Sequence, residues 1–159
     1  MTPQWTDVLQ GIGAIGSVLI AVIGFGILIY QIKQLERAIR GDTQSGLYTQ
    51  SFEILRFLAD NPEIRPYLYE GKVLKMDDAS YNLVMSATEI VADFFEHVVL
   101  QKPNLPANVW EKWAIQIVNT YSNSPTLQQH YASNKAAYCE DLLTLCGAAN
   151  NLNSLPNKL

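Results

Sequence analysis

Val8–Tyr30 reads VLQGIGAIGSVLIAVIGFGILIY, a run of 23 residues without a single charge. As an α-helix rising ~1.5 Å per residue it is ~35 Å long, enough to cross a hydrocarbon core of ~30 Å with slight tilt. A cleaved secretion signal would want a basic start and a small-residue cleavage site. Met1–Asp7 has no Lys or Arg, and the run ends in Leu-Ile-Tyr-Gln, so the sequence predicts an uncleaved anchor. Trp5 and Tyr30 bracket it where aromatic rings favour the lipid–water interface. Lys33, Arg37 and Arg40 follow the span and nothing basic precedes it. The positive-inside rule then sets residues 1–7 outside and residues 31–159 in the cytoplasm.

Within the span, Gly11-Ile12-Gly13-Ala14-Ile15-Gly16 has the letters of a dinucleotide-binding turn. That turn works only between a strand and a helix, and no strand precedes it here. The small residues suit lipid better. Gly13, Ser17 and Ala21 recur every four positions, with Gly24 three further on, and share one helix face. Small side chains let two backbones approach closely, so these four residues are the expected interface of a homo-oligomer.

Outward from the span, the helical period continues through residues 31–60, with Ile32, Leu35 and Ile39 on one face. Gly41 and Gly46 predict a break at 41–46. Asp60-Asn61-Pro62 ends the segment, with Asn61 as a cap. Two prolines and a glycine make residues 62–76 a structured connector. Asp77 or Asp78 is the expected cap of a helix that reaches about Gln101, its apolar stripe being Leu83, Ala87, Ile90, Val91, Phe94 and Val98. Pro106 opens a helix with Trp110, Trp113, Ile117 and Tyr121 inward. Ser124-Pro125 is a cap followed by a first-turn proline, starting a helix with Leu127 and Tyr131. A last helix over 134–147 carries Tyr138, Leu142 and Leu145 and gives way to a polar tail, 148–159. No strand-like alternation occurs. The expected class is all-α: a transmembrane helix at 8–30, a juxtamembrane helix at 31–60, and a cytoplasmic bundle of about four or five helices at 61–147.

Composition narrows the function. All 11 Lys and Arg lie after the apolar run, against 14 of the Asp and Glu, so the cytoplasmic part is acidic. Nucleic acid, which needs a clustered basic face, is a poor partner for it. Cys139 and Cys146 are seven apart; on a helix their Cα atoms stand ~10 Å from each other, beyond disulfide reach. Two free thiols packed as small apolar residues suit a reducing compartment.

The segments Ala59–Lys72, ADNPEIRPYLYEGK, and Ala92–His97, ADFFEH, with Trp110 and the Ser124-Pro125 turn, resemble those of small bacterial membrane-anchored helical proteins without assigned function. The resemblance covers roughly residues 5–146. It implies the same topology and transfers no activity and no site residues.

The richest cluster of chemistry-bearing side chains is on the 79–101 helix. Glu89, Asp93 and Glu96 stand at i, i+4, i+7, and His97 follows Asp93 by four. Glu89, Asp93 and His97 could hold a metal ion only with further ligands from Glu53 or the connector. The double Glu-x-x-His pattern of a di-iron bundle is absent. The plainer reading is a solvated face or one paired with Arg56 or Arg65. The third makes Glu89, Asp93 and Glu96 a docking face for a basic partner, since complementary charge steers association. Tyr67 and Tyr69 fit packing beneath the bundle better than the lipid interface, and the tryptophans fit the core. No nucleophile-and-base spacing is present, and no cofactor is expected. The partners expected are the lipid bilayer, further copies of the chain, and another membrane or cytoplasmic protein.

Three functions follow. A membrane-anchored, homo-oligomeric adaptor or scaffold without catalytic activity needs the fewest assumptions. A homo-oligomeric pore lined by the glycine-rich span ranks second, because Gln10, Ser17 and Gln31 are the only polar groups it offers a lumen. A metal-dependent enzyme on the acidic helix ranks last.

Overall fold

A computed structural model describes the backbone of residues 5–153 and the side chains of residues 22–147. The larger part of the expected span, residues 8–21, therefore lies outside the described side chains. So do Gly13, Ser17 and Ala21 of the expected oligomer face and the tail beyond Gly147. Among the described residues no helix is long and apolar enough to cross a membrane.

The described chain is all-helical. α1 spans Trp5–Asp60, α2 Arg65–Tyr69, α3 Tyr81–Leu100, α4 Ala107–Asn123, α5 Pro125–Ser133 and α6 Glu140–Asn153; short 3-10 turns occupy Pro62–Ile64, Lys102–Asn104 and Lys135–Ala137. The molecule divides into two units, Met1–Gly41 and Asp42–Leu159.

In the first unit, every described residue from Val22 onward is exposed. An ion pair between Arg40 and Glu36, 2.6 Å apart and one helical turn along, braces its end.

α1 itself passes through 41–46 without interruption, which corrects the expected break. Each glycine inside a helix costs about 1 kcal/mol. Leu47, 1% exposed, returns about 1.5–3 kcal/mol by leaving water, and Thr49 adds a hydrogen bond to the Ser45 carbonyl. Tertiary burial outweighs propensity here.

The second unit holds the whole described core. Leu47 and Leu58 from α1, Ile64 and Leu68 around α2, Val84 and Val98 from α3, Ile117 from α4, Leu127 from α5 and Leu142 from α6 are all within 1% of full burial. α4 packs on α6, α3 on α5 and α6, and the short α2 on α4 and α5. The stripe expected on α3 is in place at Ala87, Val91, Phe94 and Val98, whereas Ile90 is 45% exposed. Trp113, Ile117 and Tyr121 point inward from α4, and Phe94 meets Trp113 edge-on at 5.6 Å.

The connector is organised by side chains the sequence pattern assigned elsewhere. Asp78 does not cap α3, whose N-cap is Ser80 without a side-chain bond. Its carboxylate instead accepts from the Lys75 amide at 3.0 Å and the Tyr67 hydroxyl at 3.2 Å. Those donors, the Lys75 amide foremost, stabilise the carboxylate and hold its pKa below the ordinary value. Asn61 likewise caps nothing ahead of it; its amide donates back to the Phe57 carbonyl at 2.9 Å and closes α1. Gly71, at φ +75°, takes the left-handed backbone that ends α2 and brings the Lys72 amide to the Pro66 carbonyl. Tyr67 is buried and Tyr69 half-buried, Lys72 sits over the Tyr67 ring, and Arg65 over that of Tyr69.

At the other end, Ser124 caps α5 as expected, accepting from the Leu127 amide at 3.1 Å. The last α-helix starts at Glu140, later than residue 134, and its backbone continues past Gly147 to Asn153. Asn134 breaks the path after α5 and a 3-10 turn intervenes. Cys139 and Cys146 are both free thiols.

Candidate functional site

Two features of the second unit collect polar chemistry. The first is a groove of about 470 Å³ between the C-terminal part of α1 and the middle of α3. Ile54 and Phe57 face Ile90 and Phe94 across its floor, and Glu53, Asp93 and His97 stand around it. The helical period places Glu53, Ile54 and Phe57 on one stripe of α1 and Ile90, Asp93, Phe94 and His97 on one stripe of α3.

The acidic face of α3 is not one site. Glu89 is exposed, and Asp93 opens on the groove. Glu96 turns the other way and accepts from the Cys139 amide at 2.6 Å, which anchors the start of α6. Among the described residues no group of three or more His, Cys, Asp or Glu is placed to hold a metal ion. Glu89, Asp93 and His97 thus lack the convergence that metal ligation needs, which corrects the metal reading. Nor do the carboxylates pair with Arg56 or Arg65: Arg40–Glu36 is the one ion pair among the described residues.

The second feature joins α3, α5 and the bend that precedes α6. The Tyr138 hydroxyl donates to Asp93 Oδ1 at 3.3 Å and lies 2.7 Å from His130 Nε2. A phenol has one proton to give. With that proton directed to Asp93, His130 Nε2–H is the donor to Tyr138. Burial, reinforced by Asp93, pushes the Tyr138 phenol above its ordinary value, so the proton stays on it. The rings of His130, Tyr131 and Tyr138 pack edge-on, Tyr131 and Tyr138 at 4.8 Å, and the Tyr131 hydroxyl reaches the Ala92 carbonyl at 3.3 Å.

No family model, curated protein or solved structure matches this chain. The site must be read from its own atoms. The groove brings Ile54, Phe57, Ile90 and Phe94 together with Glu53, Asp93 and His97, and the network orients His130 through Tyr138.

Sequence spacing brought Asp93 and His97 together, but the imidazole linked to Asp93 through Tyr138 is His130, on α5. That link spans 45 residues between Asp93 and Tyr138. Only the assembled bundle creates it, and no local signal in the sequence announces it.

The buried thiol beside this cluster gives a pH-dependent stability. Burial lifts Cys146 from the ordinary 9.0 to about 12. The folded state favours the neutral thiol, so its contribution is complete below about pH 9 and is lost as pH rises towards 12. Urea midpoints should fall over that window, and fall less steeply in Cys146→Ala. An equal fall in the variant would assign the loss to Tyr131 and Tyr138, whose phenols burial also raises.

Proposed function

We propose that this chain is a membrane-anchored, self-associating helical adaptor, whose cytoplasmic bundle receives a basic amphipathic helix of a partner protein. One observation carries the anchor. Between Val22 and Tyr30 the large apolar residues Val22, Ile23, Phe25, Ile27, Leu28 and Ile29 are 44–69% exposed, on all sides of α1. A helix that is apolar all round is stable where lipid or other copies cover it, not bare in water. This stretch continues the uncharged run that begins at Val8, and it is followed by the exposed cations Lys33, Arg37 and Arg40. Those flanks support a span with its N-terminus outside. The small-residue face at Gly13, Ser17, Ala21 and Gly24 supports self-association within it. The resemblance to small bacterial membrane-anchored helical proteins implies the same anchored topology.

The groove supports the docking half of the reading. Its apolar floor accepts one face of a helix, and Glu53 and Asp93 at its rim select Lys and Arg on the flanks.

The test is fractionation followed by subunit counting. The full chain should stay with membranes through an alkaline carbonate wash and form a defined oligomer in lipid nanodiscs. Gly13→Leu combined with Ser17→Leu should reduce that oligomer to monomers without releasing the chain. Full-length protein in the aqueous fraction of surfactant-free lysates would overturn the anchor, and a wild-type monomer would overturn self-association.

A further inference from the structure

The stripe that Ile32, Leu35 and Ile39 make along α1 extends back into the uncharged run. Phe25, Leu28, Ile32, Leu35 and Ile39 alternate three and four residues apart on one uninterrupted helix, and all are 46–69% exposed. That is heptad spacing, with Phe25, Ile32 and Ile39 at the a positions and Leu28 and Leu35 at the d positions. Asp42 at the next d and Gly46 at the next a bring it to an end.

The polar side chains are distributed to match. Lys33, Arg37 and Arg40 occupy the outward b and f positions, so no cation stands on the stripe. The Gln34 amide donates to the Tyr30 hydroxyl at 3.0 Å, and Arg40 pairs with Glu36, each bond lying within its own helix. The flanking e and g residues between Gln31 and Ala38 are Gln31, Glu36 and Ala38, with a single charge among them. A parallel copy sets Gln31 opposite Glu36 and so meets no like-charge pair.

Residue type selects the occupant, and area sets the limit. Each a or d side chain enters a hole between four residues of the facing helix, and Ile at a with Leu at d favours two parallel strands. Phe25 and Leu28 lie within the uncharged run, where lipid removes the hydrophobic drive. Beyond it, Ile32, Leu35 and Ile39 of two copies bury about 400–700 Å² together. Specific interfaces that stand alone begin near ~1,200 Å². The stripe therefore closes only between copies already held side by side, for which the second contact is effectively intramolecular.

We propose that residues 25–39 of α1 pack against the same residues of a second copy as a parallel two-stranded coiled coil, which makes the chain a dimer. This deepens the self-association half of the adaptor reading and rests on it, since the span is what brings two copies together in one orientation.

The test takes the full-length chain in lipid nanodiscs, in a Cys139→Ala background that leaves only the buried Cys146. Ile32→Cys, Leu35→Cys and Ile39→Cys place single thiols on the seam; Lys33→Cys, Gln34→Cys and Arg37→Cys place them off it. Each is oxidised with copper phenanthroline. Only facing Cβ atoms come within disulfide reach, so the seam positions should give at least about fivefold more linked dimer than the others. Subunit counting on the unoxidised chain should give two copies. Energy transfer between labelled chains should show association weakened at least about tenfold in Leu35→Ala and unchanged in Gln34→Ala. Neither should alter the melting of the bundle, because Leu35 is exposed in the single chain. A wild-type monomer would overturn self-association as a whole, and the seam with it. An oligomer that links equally at 33, 34 and 37, or that Leu35→Ala leaves intact, would overturn the seam and leave the span as the contact. Three or more copies would overturn the two-stranded form.

Discussion

Ser124→Ala should lower the unfolding free energy of the bundle by about 2–4 kcal/mol, the largest effect expected of removing a single oxygen from this chain. Ser124 is fully buried, and its hydroxyl makes two bonds at once. It accepts from the Leu127 amide at 3.1 Å, which caps α5, and donates to the Tyr67 carbonyl at 2.8 Å, which holds α2 against the start of α5. Losing the cap costs about 1 kcal/mol. Losing the donor strands the carbonyl of Tyr67, a residue 3% exposed, at a further 1–3 kcal/mol or so. Urea unfolding followed by tryptophan fluorescence reads the change, because Trp113 lies in the core. Asn123→Ala, one position earlier, removes only an exposed bond to the Asn119 carbonyl and should stay within about 0.5 kcal/mol of wild type. A loss of only about 1 kcal/mol in Ser124→Ala would make Ser124 an ordinary cap and leave the link to α2 without weight.

Ser124 also shows where the sequence was readable and where it stopped. A serine before a proline and an apolar run announces a helix start through local chemistry, and α5 begins there. That the same hydroxyl reaches Tyr67, 57 residues earlier, is a product of tertiary packing that no local pattern encodes. The same division runs through the rest. The stripe on α3 and the inward face of α4 follow from the 3.6-residue period, and both are in the core. Ile90 satisfies that period but lines the open groove and stays 45% exposed, so periodicity alone placed it wrongly. The glycines at 41 and 46 argued for a break on propensity, and the burial of Leu47 overrode them. Asp78 is a good cap by type, yet the Tyr67 hydroxyl and the Lys75 amide competed for it and won. For the candidate site the acidic face of α3 was legible as a cluster. Its division was not: Glu96 belongs to the α6 anchor, and Asp93 to a chain of bonds that ends at His130 on another helix.

Removing residues 1–41 should release the bundle from the membrane and leave it folded. Every buried hydrophobic residue described lies between Leu47 and Cys146. The described part of the first unit, Val22–Gly41, is exposed throughout and contributes nothing to that core. Starting the chain at Asp42 keeps Leu47 and Leu58, the two fully buried residues that α1 supplies, and puts an acidic capping residue at the new helix start. Fraying of the first turn should cost well under the ~2–5 kcal/mol of Leu58→Ala, the core variant against which it is compared. The fragment Asp42–Leu159 is therefore expected in the aqueous fraction as a helical monomer that melts cooperatively within a few degrees of the full chain, while the full chain sediments with lipid. Circular dichroism and sedimentation measure both halves of the statement. A fragment that folds but still sediments with membranes would move the lipid contact onto the bundle, with exposed Phe52, Leu55 and Ile115 the first surface to test. A fragment that is soluble but unfolded would show that the exposed stretch of α1 stabilises the bundle, contrary to the burial that assigns it none.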